Sequence, residues 1–320
     1  MKALVTGGAG FIGSHVVDRL LAGAHEVDIV DNLSTGRPAH ANPAARLHVT
    51  DIRSARLAAV FGEARPEVVV HLAAQMDVRR SVADPIFDAS VNVLGTLNLL
   101  ECCRRAGVER LIFASSGGAI YGDCDTIPTP ETQPERPASP YGVAKLAAER
   151  YIAAWTELTG AAAVALRYAN VYGPRQNPLG EAGVVAIFSA RLLSGQPCIV
   201  NGDGEQTRDY VYVEDVAHAT EQAVNSPRAT GAVNIGTGVE TSVNDLYRRL
   251  TAAAGVDAPA RHGAAKPGEQ RRSVLDASRA KRLLAWTPAT TLDVGLKHTL
   301  EYFRRQGEAQ PRSPSRIAES

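Results

Sequence analysis

The chain has 320 residues, with 34 Lys plus Arg balanced by 34 Asp plus Glu, so no bulk charge draws it toward nucleic acid or an acidic membrane surface. With 45% hydrophobic residues it can build a sizeable core, and its length suits two domains or one large domain with an added lobe. Cys102, Cys103, Cys124 and Cys198 follow no C-x-x-C or metal-ligand spacing, no charged-then-apolar leader precedes the first strand, and no apolar run reaches the ~20 residues of a membrane span, so a cytoplasmic protein without a metal site or membrane anchor is expected.

The first predicted strand, Ala3 to Thr6, runs directly into Gly7-x-x-Gly10-x-x-Gly13 at the mouth of a helix. Glycines let the backbone bend sharply and let a pyrophosphate approach the N–H groups at the helix start, where the dipole favours an anion. The second strand, Glu26 to Val30, ends at Asp31, about 20 residues beyond the glycines, where a carboxylate accepts hydrogen bonds from an adenosine 2′-OH and repels a 2′-phosphate. A dinucleotide site that prefers NAD to NADP follows. Further short β-branched strands are predicted at Arg46 to Val49, Glu67 to Leu72, Arg110 to Ala114 and Ala163 to Arg167. Helical spacing covers Val91 to Ala106 and Pro140 to Leu158, each closed by a glycine. Strand and helix alternate with short loops, which specifies an α/β fold with a doubly wound parallel sheet.

The second half loses this rhythm. A Gly/Pro/Asn-rich loop spans Pro174 to Gly183, turns fall at Gly202-Asp203-Gly204 and Gly236-Thr237-Gly238, and helices are expected at Val243 to Ala254 and Leu292 to Arg305. We therefore expect a dinucleotide domain at 1–172, with 203–240 returning to it, a smaller interleaved α/β substrate lobe at 173–202 and 241–305, and a loose tail at 306–320.

Chemistry enters at Ser139-Pro140-Tyr141-Gly142-Val143-Ala144-Lys145. Proline preorganises the first helical turn, and Tyr141 and Lys145 share one face. An ammonium beside a phenol, with a nicotinamide cation nearby, favours the phenolate, so a Tyr of free pKa ~10 can act as a base near neutral pH. The same pair on an ordinary amphipathic helix would mean nothing; behind a nucleotide fingerprint it signals hydride transfer at a carbinol carbon.

Gly7-x-x-Gly10-x-x-Gly13 together with Tyr141-x-x-x-Lys145 resembles the extended short-chain dehydrogenase/reductase family, from Met1 to about Phe303, and within it the UDP-glucose 4-epimerase branch. Further matching stretches are Asp31-Asn32-Leu33-Ser34-Thr35-Gly36, Asp51-Ile52, His71-Leu72-Ala73-Ala74-Gln75, Asn170-Val171-Tyr172-Gly173-Pro174-Arg175-Gln176, Arg208-Asp209-Tyr210-Val211 and Gly268-Glu269-Gln270-Arg271-Arg272-Ser273. The resemblance implies a Rossmann-type fold, NAD as cofactor, a UDP-sugar substrate and a homodimer whose four-helix interface uses Val91 to Ala106 and Tyr141 to Ala154. It implies that Phe11 and Ile12 cover the pyrophosphate, Asp31 and Asn32 the ribose, Asp51 and Ile52 the adenine, and Leu72, Ala73 and Ala74 the nicotinamide side. Ser34, Thr35, Gly36, Gln75, Asn92, Ser115 and Tyr168 complete the implied cofactor set. Asn170 and Arg208 match diphosphate-binding positions, with Tyr210 close by. Lys266, Arg271 and Arg272 add positive charge, and spacing does not distinguish which reaches the phosphates.

One position departs from the family. Counting back from Tyr121-Gly122, the Ser or Thr expected to bond the reacting sugar hydroxyl falls on Gly117. Ser116 can shift into the role, a water can take it, or Tyr141 can contact the sugar directly; direct contact, with Ser116 as helper, is the expectation here. Gly117-Gly118-Ala119 also lacks the carboxylates that the 4,6-dehydratase and decarboxylase branches use. Epimerisation remains, through a 4-keto sugar that turns about its diphosphate. The small Ser273 should leave room at the sugar C2 for the N-acetyl group of UDP-GlcNAc. A UDP-glucuronate 4-epimerase is the alternative if Arg175 meets a C6 carboxylate. A non-catalytic NAD-binding regulator would have no use for Tyr141 and Lys145.

Overall fold

The computed structural model describes residues 1–179, 183–265 and 270–309. Its centre is a seven-stranded parallel sheet of order β11-β6-β5-β4-β1-β2-β3, built from β1 (Lys2–Thr6), β2 (Glu26–Asp31), β3 (Arg46–Val49), β4 (Val68–His71), β5 (Arg110–Ser116), β6 (Ala162–Tyr168) and β11 (Gly231–Ile235). Residues alternate between faces along each strand. Ala3 and Val5 join the core beneath α1 (Phe11–Ala22), α9 (Val213–Asn225) and α11 (Ser278–Leu284). Leu4 joins the opposite core beneath α2 (Leu57–Ala64), α5 (Gly95–Ala106) and α7 (Pro140–Thr159). The strand order reverses between β1 and β4, so a crevice opens beyond their carboxyl ends, where doubly wound sheets bind ligands.

Local chemistry sets the helix ends. The hydroxyl of Ser139 accepts from Gly142 N–H at 3.2 Å to start α7, and Gly160, at φ 74°, ends it. The helix expected from Val91 begins earlier. It comprises α4 (Pro85–Ala89), capped by Asp84, then a π-helical turn at Ser90–Leu94, and then α5, which stops at Gly107 with φ 69°. A short α3 (Val78–Ala83) precedes it. Because the start moves to Pro85, the helical run to Ala106 has 22 residues, and an 18-residue window of it, at mean hydropathy 1.2, does reach the length and composition of a membrane span, contrary to the sequence expectation. Leu99, Leu100, Cys102 and Cys103 on this run pack into the sheet's core.

The second lobe gathers α8 (Val184–Leu193), α10 (Val243–Ala254) and α12 (Leu292–Ala309) around Phe188, Tyr247, Leu250 and Leu296. Small sheets tie it to the first. β7 (Asn170–Tyr172) pairs with β10 (Tyr210–Tyr212), β8 (Ile199–Asn201) with β13 (Arg261–Gly263), and β9 (Thr207–Arg208) with both β12 (Thr241–Ser242) and β14 (Arg272–Ser273). Two boundaries differ from the sequence expectation. Within 203–240, β9 joins this small sheet rather than the main one, and α12 continues through Ala309, so the tail does not begin at 306; residues 310–320 lie outside the described residues. A one-turn α6 (Gly117–Ile120) follows β5 directly.

Candidate active site

The glycine turn leaves β1 at the switch point. Gly7 holds φ at +71°, and a Cβ there would lie 2.8 Å from the backbone nitrogen of Ala73, the second residue after β4, so the two strand ends close on each other only through glycine. A Cβ on Gly13 would run into the Gly7 carbonyl. Gly10 caps α1 without a side-chain hydrogen bond, and the first turn holds no acid, which leaves the positive helix end for an anion. Phe11 and Ile12 sit half-buried there. The buried Asp31 accepts from Ala9 N–H at 3.0 Å and from Leu33 N–H at 2.8 Å. Two of the carboxylate's roughly four acceptor positions remain for ribose hydroxyls. The residues present fit a dinucleotide.

The expected adenine end is assembled as a cluster. Asn32 Nδ2 donates to Asp51 at 2.9 Å, and Arg53 grips the same carboxylate through Nε and Nη2, holding its pKa far below the usual carboxylate range. Ile52 is buried against Gly95 and serves the core. Ser34 and Thr35 are exposed, while Gly36 lies against the Asp31 carboxylate. On the nicotinamide side Leu72, Ala73 and Ala74 follow β4, and Ala73 N–H donates to Thr6 Oγ1 at 3.2 Å. Thr6 contacts the buried His71 at 2.7 Å, and His71 contacts Thr96 at 3.1 Å; burial pushes the imidazole down to about 3. Gln75 and Asn92 clamp each other, Gln75 N–H donating to Asn92 Oδ1 at 2.9 Å and Asn92 Nδ2 to Gln75 O at 2.8 Å. Two expected cofactor side chains turn elsewhere. The Tyr168 hydroxyl meets Thr220 on α9 at 2.9 Å inside the core, and Ser115 Oγ donates to Glu149 at 2.6 Å.

Tyr141 is half-buried in the first turn of α7, its N–H donating to Ser81 Oγ at 3.2 Å. Lys145 is buried one turn on, 4% exposed. Its Nζ donates to Ala114 O at 2.8 Å, 4.7 Å from the Phe113 ring centroid and 5.9 Å from that of Tyr141. Burial takes its pKa down to about 8, while Asp88 and Glu149 raise it. Two N–H groups of the ammonium remain beyond the Ala114 bond.

Ser116 ends β5, and its side chain does not cap α6. A side chain at position 117 would require Leu275 to shift: a Cβ on Gly117 would lie 2.5 Å from Leu275 Cδ1. Counting back from Tyr121-Gly122 therefore places the hydroxyl in a slot Leu275 fills, whereas the strand itself carries a serine to its last residue. A Cβ on Gly118 would make ordinary contact with Asn170 Oδ1 at 3.8 Å and Ser273 Oγ at 3.9 Å, so both side chains converge on this turn. Ser273 aligns with Arg208 across β14 and β9, and Tyr210 with Asn170 across β10 and β7. Of the three further cations, Arg271 forms a bidentate pair with Asp203, Arg272 one with Glu240, and Lys266 lies outside the described residues. Arg175 pairs with Asp18 of α1 at 2.7 Å and, with His15 and Tyr302, lines a cleft of ≈ 430 Å³. Its guanidinium thus faces an acid of α1, where the alternative reading would have it meet a C6 carboxylate.

Sequence reasoning misses the role of Asp209. Buried beside Arg208, it accepts from Thr237 N–H and Oγ1 at 2.8 and 2.6 Å, from Gly238 N–H at 3.1 Å and from Leu275 N–H at 3.3 Å. It thereby fixes the Gly236 turn and β14 around the candidate substrate strands. Only its place between two matching residues could have marked it.

Comparison with known proteins agrees with this geometry. The profile of the NAD dependent epimerase/dehydratase family matches residues 3–236. A UDP-glucose 4-epimerase from Mycolicibacterium smegmatis is 46% identical over 314 residues, covering 96% of this chain and 100% of that protein. Among solved structures, UDP-glucose 4-epimerase from Thermotoga maritima with UDP-glucose superposes at TM-score 0.92 with 47% identity, over 96% of this chain and 99% of its own. The enzyme from Thermus thermophilus in complex with NAD superposes at 0.91 with 44% identity, over 95% and 99%.

Proposed function

Because the chain belongs to the NAD dependent epimerase/dehydratase family, we propose that it is an isomerase that inverts C4 of a UDP-sugar, interconverting UDP-glucose and UDP-galactose with NAD as its bound coenzyme. The observation that carries this reading is the buried Lys145 ammonium lying under the Tyr141 ring at the end of β5, beside the glycine cradle. The chemistry NAD supplies when bound is a two-electron acceptor for the C4 hydride, returned to the opposite face of a transient 4-keto sugar. Tyr141 takes the proton of the 4-hydroxyl and gives it back, and Lys145 stabilises the phenolate form that permits this. Ser116, rather than position 117, carries the hydroxyl that orients the sugar oxygen. Arg208 and Asn170 hold the diphosphate, about which the sugar turns between the two hydride steps; a guanidinium fork suits phosphate oxygens.

The small side chain of Ser273, which converges with Asn170 on Gly118, supports acceptance of UDP-GlcNAc beside the unsubstituted sugars. We also read the chain as a cytoplasmic homodimer: Val82, Ile86, Leu94, Val143 and Tyr151 are exposed on α3, the π-helical turn's run and α7, and an apolar face of this kind marks an association surface. The test of function is to incubate the purified protein with UDP-galactose and follow UDP-glucose by chromatography, with no net NADH release. Tyr141→Phe should lose at least about a hundredfold in kcat. Turnover of Tyr141→Phe at the wild-type rate would overturn the assignment.

A further inference from the structure

Asp88 is a buried carboxylate to which the chemistry above gives no task. It lies on α4, 1% exposed, just ahead of the π-helical turn. Its Oδ1 accepts from Gln75 Nε2 at 2.8 Å and from Asn92 Nδ2 at 3.0 Å, both neutral amides, and its Oδ2 has no hydrogen-bond partner. A buried carboxylate in that condition is costly unless a cation compensates it. Other buried acids here have their complement. Glu149 is gripped by Arg167 at 2.6 and 3.0 Å, Asp209 collects four donors, and Asp31 has two backbone N–H groups. For Asp88 the complement is Lys145, since α4 packs along α7 and the two charges act on each other.

We propose that Asp88 is a positioning residue for the Tyr141–Lys145 pair: its unpartnered oxygen supplies the negative charge that keeps Lys145 an ammonium, while its other oxygen braces Gln75 and Asn92 on the nicotinamide side. Tyr141 and Glu149 also face Lys145 from its own helix, His71 reaches it from β4, and the Phe113 ring and Ala114 carbonyl reach it from β5. His71 is held neutral by burial and by Lys145 itself, and the Glu149 charge is offset by Arg167. Among these described groups Asp88 is therefore the carboxylate left to balance Lys145 against burial. Without it the lysine would become a neutral amine in the working pH range, and a phenolate at Tyr141 would lose its counter-charge.

The proposal rests on the epimerase reading of the pair, and its test separates the two. Asp88→Asn keeps the shape and one acceptor for the amides while removing the charge. The chain has five lysines, so 13Cε-lysine NMR of the NAD-loaded protein can follow Lys145, assigned by loss of its signal in Lys145→Arg. The Lys145 titration midpoint should fall by about one pH unit in Asp88→Asn, and kcat on UDP-galactose about fivefold at pH 8 with KM unchanged. An unmoved Lys145 midpoint, or a loss of activity that sits entirely in KM or in NAD retention, would overturn it. A wild-type protein that epimerises no UDP-sugar would refute the functional reading instead, and the lysine titration would still decide the role of Asp88.

Discussion

The contact between Gly117 and Leu275 makes a prediction that separates sterics from chemistry. A Cβ at 117 would lie 2.5 and 2.8 Å from the two δ-carbons of Leu275, well inside the ~3.5–4.0 Å of a good carbon contact. Leu275 is 1% exposed, and its N–H points to Asp209 at 3.3 Å, so its backbone is anchored. Gly117→Ser should therefore cost about 1–3 kcal/mol of stability as overpacking. Leu275→Ala should cost about 2–5 kcal/mol as a cavity. In the double variant the serine moves into the space vacated, and the combined loss should fall short of the sum by about 1–2 kcal/mol. Urea denaturation of the four proteins measures that coupling, and losses that add to within about 0.5 kcal/mol would show that Leu275 does not occupy position 117. The same variants test the chemistry. Ser116→Ala should lose turnover, and Gly117→Ser introduced beside it should not restore it; restoration would mean that position 117 does face the sugar.

Arg208→Lys should raise KM for UDP-galactose about tenfold with a smaller change in kcat, because it removes a forked contact to phosphate and keeps the charge; an unchanged KM would place the diphosphate elsewhere. Arg271→Ala and Arg272→Ala should each change KM by less than about twofold, since both side chains are exposed and paired with acids. His71 supplies a pH test. Its pKa is depressed from 6.5 to about 3 in the folded protein, so its contribution to stability is intact above pH 6.5 and is lost as the pH falls toward 3. The urea midpoint should drop between about pH 7 and about pH 4.5 more steeply in the wild type than in His71→Asn, and equal slopes would refute the buried neutral imidazole.

Six strands of the main sheet are legible in the sequence because each is short, apolar and bounded by glycine or a helical stretch. The seventh, β11, is not. Gly231-Ala232-Val233-Asn234-Ile235 has little β propensity, and its buried Asn234 is tolerated only because Glu131, Tyr121, Thr129 and Asp276 satisfy it from distant segments. The site shows the same division. Gly7, Gly10, Gly13, Tyr141 and Lys145 follow from backbone conformation or from side-chain spacing on one helix. Leu275 beside Gly117, Asp18 beside Arg175 and the helix of Asp88 packed along that of Lys145 are separated by scores of residues in the chain, and only the fold brings them together.

The π-helical turn at Ser90–Leu94 carries one residue more than an α-helix of equal length would hold, and it takes that residue up in one widened turn while the helices on either side stay nearly in phase. Deleting a single residue there would restore regular i→i−4 bonding and, because the widened turn is what absorbs the extra residue, would leave α4 close to its present phase. The side chains inside the turn would be re-aimed, among them Asn92, which bonds both Gln75 and Asp88. The widened turn thus aims Asn92 at Gln75, and a homologue shortened by one residue here would need another side chain to bridge Gln75 and the acid.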